Sequence, residues 1–228
     1  MPADPLEVKL IVMQRNRAVI KYLLLIILAG SFYSCKDKTV DYGLDEYYVE
    51  IVTAQSDNSF LSDNGIKLIA KSDVSNKSYS SGDRVLINYT LLEVNTPDFY
   101  YVRINGSAKI PQGKLTLSDN STIQTSVKEP VLLESVWLGN HYLNMQFYIN
   151  FKSTAHKIGL LVDSASIKSE TISLYFVHDP VNDSPGFPSH TYLSFDLKEV
   201  LGQPKKNRSV SVQINTSNYG IKTCEFEY

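Results

Sequence analysis

Apolar and polar residues alternate with a period of two through most of this chain, and no other feature constrains its fold as strongly. The clearest stretch is Tyr142–Phe151, where one side is polar or aromatic and the other is wholly apolar. The apolar side consists of Leu143, Met145, Phe147, Ile149 and Phe151. Successive side chains of a β-strand point to opposite faces of the sheet, so this pattern predicts a strand with one buried face.

Shorter runs of the same kind recur to the end of the chain, and turn-forming residues separate them. The separators include Ser81-Gly82-Asp83, Asn105-Gly106 and Pro185-Gly186. No stretch keeps a helical period for more than about two turns, and Leu197–Leu201, followed by Gly202, is the best candidate for a short helix. Strands at intervals of about 8 to 15 residues without intervening helices predict an all-β fold, either a sandwich or a barrel.

The chain is long enough to hold two small β domains. A polar, aperiodic stretch over residues 35–46 is predicted to be a tether. A break near Ser126–Pro130 then separates a first domain, predicted over residues 47–127, from a second over residues 128–228. Both lengths are ordinary for an independently folded domain.

A basic stretch, a short apolar run and a cysteine follow one another near the start of the chain. The basic residues are Arg15, Arg17 and Lys21, the apolar run is Tyr22–Ala29, and the cysteine is Cys35. This order is typical of a secretory signal peptide. The apolar run has about half of the ~20 residues that a membrane-spanning helix needs, which disfavours a permanent membrane span.

The residues before Cys35, Ser31-Phe32-Tyr33-Ser34, resemble the relaxed lipobox of Bacteroidetes lipoproteins. We therefore predict that residues 1–34 are an upstream extension and a lipoprotein signal peptide, with Met13 as the start, and that lipid on Cys35 anchors the chain to a membrane. An uncleaved signal anchor and plain secretion are the alternatives. Only one acid follows, in Lys36-Asp37-Lys38, so the periplasmic face of the outer membrane is favoured over the cell surface.

The charge of the chain argues against a nucleic-acid partner. Its formal net charge is −2, whereas proteins that bind nucleic acid need a basic face that displaces counterions from phosphates. The chain has two cysteines, and with Cys35 assigned to lipid a disulfide framework is not expected.

Several segments of the chain together resemble one family. Ser81–Thr90 is similar to the strand motif of the N-terminal OB-like domain of the NigD-like lipoproteins of the Bacteroidetes, and Val136–Asn144 is similar to the beginning of their C-terminal β-sandwich domain. Phe176–Asp179, Tyr192–Leu197 and Gly220–Thr223 also fit this family. The resemblance implies a small OB-like barrel followed by an antiparallel β-sandwich, in an envelope lipoprotein without an established enzymatic activity. It also implies a link to bacteriocin loci.

The motifs of metal sites and of nucleophilic enzymes are missing from the sequence. The four histidines form no pair with zinc-ligand spacing, and there is no Gly-x-Ser-x-Gly elbow. We predict no cofactor and no resident metal. In the loop 178–188, Asp179, Asn182 and Asp183 are a calcium candidate, because their oxygens suit the ion, although their order is not that of an EF-hand.

A polar ligand could bind the polar side of the strand at 142–151. Tyr142, Tyr148 and Asn144, together with Tyr100 of the first domain, are predicted to be exposed and to bind a glycan or peptide through stacking and amide hydrogen bonds. The simpler alternative is a solvent-facing sheet without a ligand. Asp163-Ser164-Ala165 resembles a short O-glycosylation motif of exported Bacteroidetes proteins, which marks Ser164 as a candidate modification site.

Together these features predict a non-enzymatic envelope lipoprotein that binds an envelope protein, a peptide or a glycan. A bacteriocin-associated immunity or accessory factor is the first alternative. A hydrolase whose site is assembled from scattered residues, such as His141, His156 and Asp179, is the second. Fold alone does not decide between these functions.

Overall fold

The computed structural model describes residues 43–184 and 186–228. The predicted signal peptide, Cys35 and the tether as far as residue 42 lie outside the described residues. The described residues form thirteen strands and two short helices, so the predicted all-β fold is confirmed.

The first five strands close into a barrel. They are β1 (Tyr47–Ala54), β2 (Ser59–Ser62), β3 (Lys67–Asp73), β4 (Arg84–Thr96) and β5 (Phe99–Lys109). Their order around the barrel is β1-β2-β3-β5-β4, with β3 and β5 parallel and the other neighbours antiparallel. A five-stranded closed barrel is the OB-like architecture that the family resemblance implies.

The remaining strands form a sandwich of two sheets. They are β6 (Lys114–Ser118), β7 (Leu132–Gly139), β8 (Tyr142–Phe151), β9 (Lys157–Asp163), β10 (Thr171–Asp179), β11 (Phe187–Asp196), β12 (Ser209–Thr216) and β13 (Gly220–Glu227). The order is β13-β12-β10-β9-β6 in one sheet and β11-β8-β7 in the other. The sandwich is mixed, because β6 pairs with β9 and β10 pairs with β12 in parallel. Parallel partners need long connections, and here these connections run through other strands.

Each half has its own apolar core. The barrel encloses the inward residues of its strands, among them Val52, Leu68, Ile87, Val102 and Ile104. The sandwich buries a larger set between its sheets, including Leu143, Phe147, Phe176, Phe195 and Val212. The predicted strand Tyr142–Phe151 coincides with β8, and its apolar side faces this second core.

The change from barrel to sandwich falls between Lys109 and Lys114, earlier than the boundary predicted at residues 127/128. The reason is β6, which continues the chain after the barrel but pairs with β9 of the sandwich. The break near Ser126–Pro130 is instead the connection between the helix α1 (Asn120–Thr125) and β7.

Two helices occupy connections of the sandwich. Asp119 caps α1 by accepting a hydrogen bond of 2.8 Å from the backbone N–H of Thr122. The second helix, α2 (Lys198–Leu201), is the short helix predicted near Leu197–Leu201. It stops at Gly202, whose φ of 75° suits glycine.

Candidate functional site

The outer face of the three-stranded sheet carries the polar side of β8. Register places Gln146 opposite Tyr192 of β11 and Tyr148 opposite His190 of the same strand. On the other flank, Trp137 of β7 stands opposite Asn144. The alternation seen in the sequence therefore collects aromatic and amide side chains on one face of the sandwich.

The barrel covers one end of this face. Tyr142 is 7% exposed and Asn144 is fully buried, so the prediction that these two side chains face solvent is wrong. Strand alternation reports which residues share a face but not what packs on that face. Tyr148 is half-buried on the open part of the same face. Tyr100 lies in the barrel, where it packs against the barrel core.

The guanidinium of Arg84 joins the barrel to the sandwich. Nη1 and Nη2 donate to the two carboxylate oxygens of Asp63 at 2.6 and 2.8 Å. Nη1 also donates to the hydroxyl of Thr53 at 2.8 Å, Nη2 donates to Oδ1 of Asn144 at 3.1 Å, and Nε donates to the hydroxyl of Ser194 at 3.2 Å. All five N–H donors of this fully buried side chain thus have acceptors.

The partners of Arg84 are bonded to one another. Asn144 donates from Nδ2 to Asp63 at 2.9 Å, and Ser194 donates to Oδ1 of Asn144 at 2.8 Å. The ring of Tyr142 lies 4.0 Å from the guanidinium carbon, a cation–π contact. Arg84, Asp63, Asn144 and Ser194, which we call the Arg84 network, therefore explain why polar side chains of β8 and β11 are buried here.

Beside this network, a cleft of about 390 Å³ opens between the barrel and the three-stranded sheet. Trp137, Gln146 and Tyr192 line it from the sandwich, and all three are half-buried. The barrel contributes mainly apolar side chains and the turn after β2, including Val49, Ile51, Leu86, Asp63 and Asn64. The cleft combines apolar and amide groups, as ligand sites commonly do.

The open part of the sheet face continues from this cleft as a row of rings. His190 stacks on Tyr148 with ring centroids 4.6 Å apart, and it also contacts the ring of Tyr192 at 4.8 Å. Glu134 accepts a hydrogen bond from Nε2 of Gln146 at 2.6 Å and lies 3.0 Å from Nε2 of His190. These contacts hold the row in a defined arrangement, which lowers the entropy lost when a ligand binds.

Glu50 lies on a strand that lines the cleft, but its carboxylate is engaged on the inward side of that strand. Its side chain is on the inward side of β1, and its carboxylate accepts a hydrogen bond of 2.8 Å from the hydroxyl of Tyr89. Burial, followed by the charge of Glu50, raises the pKa of Tyr89 far above its ordinary value. The Glu50 carboxylate therefore belongs to the interior end of the barrel.

The calcium candidate has a structural environment instead. The carboxylate of Asp183 accepts from the backbone N–H groups of Lys152, Ser153 and Thr154 at 2.8 to 3.3 Å. These bonds, led by that from Lys152, lower the pKa of Asp183 to about 2. Asp179 accepts from the backbone N–H of Val181 at 2.8 Å. Asp179 therefore bonds its own loop, whereas Asp183 bonds the loop that follows β8.

A chain of two histidines connects this loop to the sandwich. Nδ1 of His178 donates to the carbonyl oxygen of Glu129 at 3.2 Å, which leaves Nε2 to accept from Nδ1 of His156 at 2.8 Å. Nε2 of His156 lies 3.3 Å from Asp183, and both of these side chains are 2% exposed. Burial lowers the pKa of His178, and the nearby His156 lowers it further.

The scattered residues of the hydrolase alternative have separate partners. His156 contacts His178 and Asp183, whereas His141 lies 3.7 Å from Asp196. Within residues 43–184 and 186–228, no three His, Cys, Asp or Glu side chains are arranged to hold a metal ion. Neither helix of the described part of the chain has the length and apolar character of a membrane span. Ser164 is exposed at the turn that follows β9.

Comparison with known protein families finds a match for the C-terminal part of the chain. A family model described as the NigD-like C-terminal β-sandwich domain matches residues 115–228, and this range begins within β6, where the sandwich begins. No curated protein matches the chain significantly.

Solved structures of proteins from Bacteroides species share the two-part fold. A protein of unknown function from Bacteroides vulgatus is 22% identical with a TM-score of 0.70, covering 80% of this chain and 91% of its own. A NigD-like immunity protein from Bacteroides caccae is 22% identical with a TM-score of 0.59, covering 79% and 92%. A candidate lipoprotein from Bacteroides fragilis is 11% identical with a TM-score of 0.54, covering 80% and 96%. At these identities the likeness establishes the fold alone.

Proposed function

This chain belongs to the NigD-like family, and from that premise we propose that it is a non-enzymatic binding module of the cell envelope, held at a membrane by lipid on Cys35. The observation that carries this proposal is the cleft between barrel and sandwich, where Trp137, Gln146 and Tyr192 surround about 390 Å³ of open space. A rigid support stands beside it, because the Arg84 network fixes the barrel against the sheet. Fixed walls with aromatic and amide groups favour binding of a ligand.

The proposal that the protein is not an enzyme is supported by the partners of the reactive groups near the cleft. In the described part of the chain, the carboxylates and histidines nearest the cleft are bonded to other protein groups: Asp63 to Arg84, and Glu134 to Gln146 and His190. General acid–base work needs such a group in reach of the substrate with a proton to exchange. The ligand is therefore expected to leave the cleft chemically unchanged.

A single fluorine label tests the cleft, because Trp137 is the one tryptophan of the chain. With 5-fluorotryptophan incorporated, one ¹⁹F resonance reports on this site whatever the ligand contains. We expect a polysaccharide, peptide or protein fraction of the envelope to shift it saturably, and Tyr192→Ala to abolish the shift.

The matched control is Tyr219→Ala, which removes an equally bulky side chain that is 78% exposed on the β12–β13 turn. It should leave the ¹⁹F shift and its saturation unchanged. A ligand that binds Tyr192→Ala with unchanged affinity would place the site elsewhere. A ligand that is recovered cleaved would contradict the non-enzymatic part of the proposal.

The lipid anchor has its own test. Two acyl chains on one cysteine are enough for stable attachment to a membrane, because each buried methylene group contributes about 0.8 kcal/mol. We expect the protein to fractionate with the outer membrane, to begin at Cys35 with added acyl mass, and to become soluble as Cys35→Ser. Cys224→Ser is the control, because it removes the other cysteine and should stay with the membrane. A mature Cys35 terminus without acyl mass would exclude the anchor.

A further inference from the structure

We infer that the ligand of the cleft is an uncharged glycan chain, an inference that rests on the proposed binding function and specifies its ligand. The first ground is charge. Among the described residues that line the cleft, none is lysine or arginine. Of the two acids in its lining, Asp63 is neutralised by Arg84 behind it, and the carboxylate of Glu50 points into the barrel.

The sheet face beside the cleft also has an acid whose carboxylate is held by protein groups. Glu134 is the acid of the row of rings, and it lies 3.0 Å from His190 and 2.6 Å from the amide nitrogen of Gln146. Among the described residues that line the cleft, an anionic polymer therefore meets no lysine or arginine, and a cationic peptide meets only carboxylates that already have protein hydrogen-bond partners. Complementary charge is what such partners require for specific recognition.

The second ground is the chemistry of the uncharged groups. Trp137 and Tyr192 lie on opposite sides of β8. Trp137 is opposite Asn144 and Tyr192 is opposite Gln146, so the two are offset by two residues along β8. Their Cα atoms are therefore roughly 12 Å apart, from two strand spacings across and two residues along. Two rings on opposite sides of β8 provide apolar contact for the CH faces of two sugars of one chain, and the tyrosine hydroxyl and the amide of Asn64 can bond sugar hydroxyl groups.

The third ground is shape. The cleft is continued over the open sheet face by the rings of Tyr192, His190 and Tyr148, of which His190 stacks on Tyr148 and is tilted against Tyr192. This extended strip suits a linear polymer more than a compact small molecule. Its rings project from the face of the sheet, so the contacts they offer come from side chains and not from the backbone groups by which extended peptides add to a sheet edge.

The test uses the intrinsic fluorescence of Trp137, since glycans do not emit in its range. The probes are hexasaccharides of neutral glucan, mannan, xylan and chitin, with oligogalacturonate, tetralysine and tetraglutamate as charged comparisons. We expect a neutral hexasaccharide to shift the emission saturably. Its affinity should change less than about twofold between low salt and about 0.5 M salt, because no charged contact is screened.

Variants separate stacking from hydrogen bonding. Tyr192→Ala should weaken binding roughly tenfold or more, whereas Tyr192→Phe, which keeps the ring, should retain most of it. Tyr219→Ala should have no effect. Binding of a charged peptide or of oligogalacturonate in place of the neutral probes, with the same sensitivity to Tyr192→Ala, would overturn the inference while leaving the binding function intact. If no probe and no envelope fraction changed the signal of Trp137, both the glycan inference and the proposed binding function would be wrong.

Discussion

Replacement of Arg84 by methionine is expected to lower the free energy of unfolding by about 3 to 5 kcal/mol, because it leaves the carboxylate of Asp63 buried without its cation. The Asp63 side chain is only 13% exposed, and of its partners in the Arg84 network only the amide of Asn144 remains after the change. Thermal unfolding should shift downwards by roughly 10 °C for a chain of this size. Urea unfolding followed by circular dichroism measures the free energy of unfolding, and a thermal melt followed in the same way measures the unfolding temperature.

Two further variants decide whether the lost ion pair is the cause. Arg103→Met removes an arginine from the exposed side of β5 and should change stability by no more than about 0.5 kcal/mol. The double variant Arg84→Met, Asp63→Asn should recover much of the loss, because no charge is then left unpaired. If Arg84→Met lowered the free energy of unfolding no more than Arg103→Met, the Arg84 network would not be what joins the barrel to the sandwich.

Local order in this chain is predictable from its sequence because side-chain alternation is a local property. Tyr142–Phe151 was predicted as a strand and is β8 to the residue, and the helix near Leu197–Leu201 is present as α2. The order of the strands within the sheets is harder to predict from the sequence. β6 follows the barrel closely in sequence, yet it pairs with β9 some 40 residues further on, and no local pattern encodes that choice.

In the candidate site, too, the local pattern was predictable from the sequence and the long-range contacts were not. Alternation places Tyr142, Asn144 and Tyr148 on one face, as predicted, but the barrel covers the first two and leaves the third at the surface. The sequence alone could have marked Arg84 as a residue with a buried partner, because a cationic side chain in a largely apolar strand needs a hydrogen-bond acceptor. Its partners Asp63 and Ser194 lie 21 and 110 positions away, so their identity follows only from the folded arrangement.

Acidification below about pH 6.5 is expected to destabilise the sandwich, with a second loss between pH 3.8 and about 2. Burial depresses the pKa of His178, so the unfolded chain takes up a proton there before the folded protein does. Backbone hydrogen bonds, led by that from Lys152, lower the pKa of Asp183 from 3.8 to about 2, so its contribution is complete above pH 3.8 and declines below it. In both cases the unfolded state binds more protons as the pH falls, and stability decreases.

The titration of His178 can be isolated from that of the other groups. His178→Asn keeps an N–H donor for the carbonyl of Glu129 but removes the titrating ring, so unfolding temperature should fall less steeply below pH 6.5 than in the unmodified protein. Burial also lowers the pKa of His141, and His141→Asn should flatten the same limb independently because the two sites are separate. The NMR titration of the His178 ring should have its midpoint below 6.5. A midpoint above 6.5 would mean that the folded state favours the proton on His178, and stability would then fall with rising pH instead.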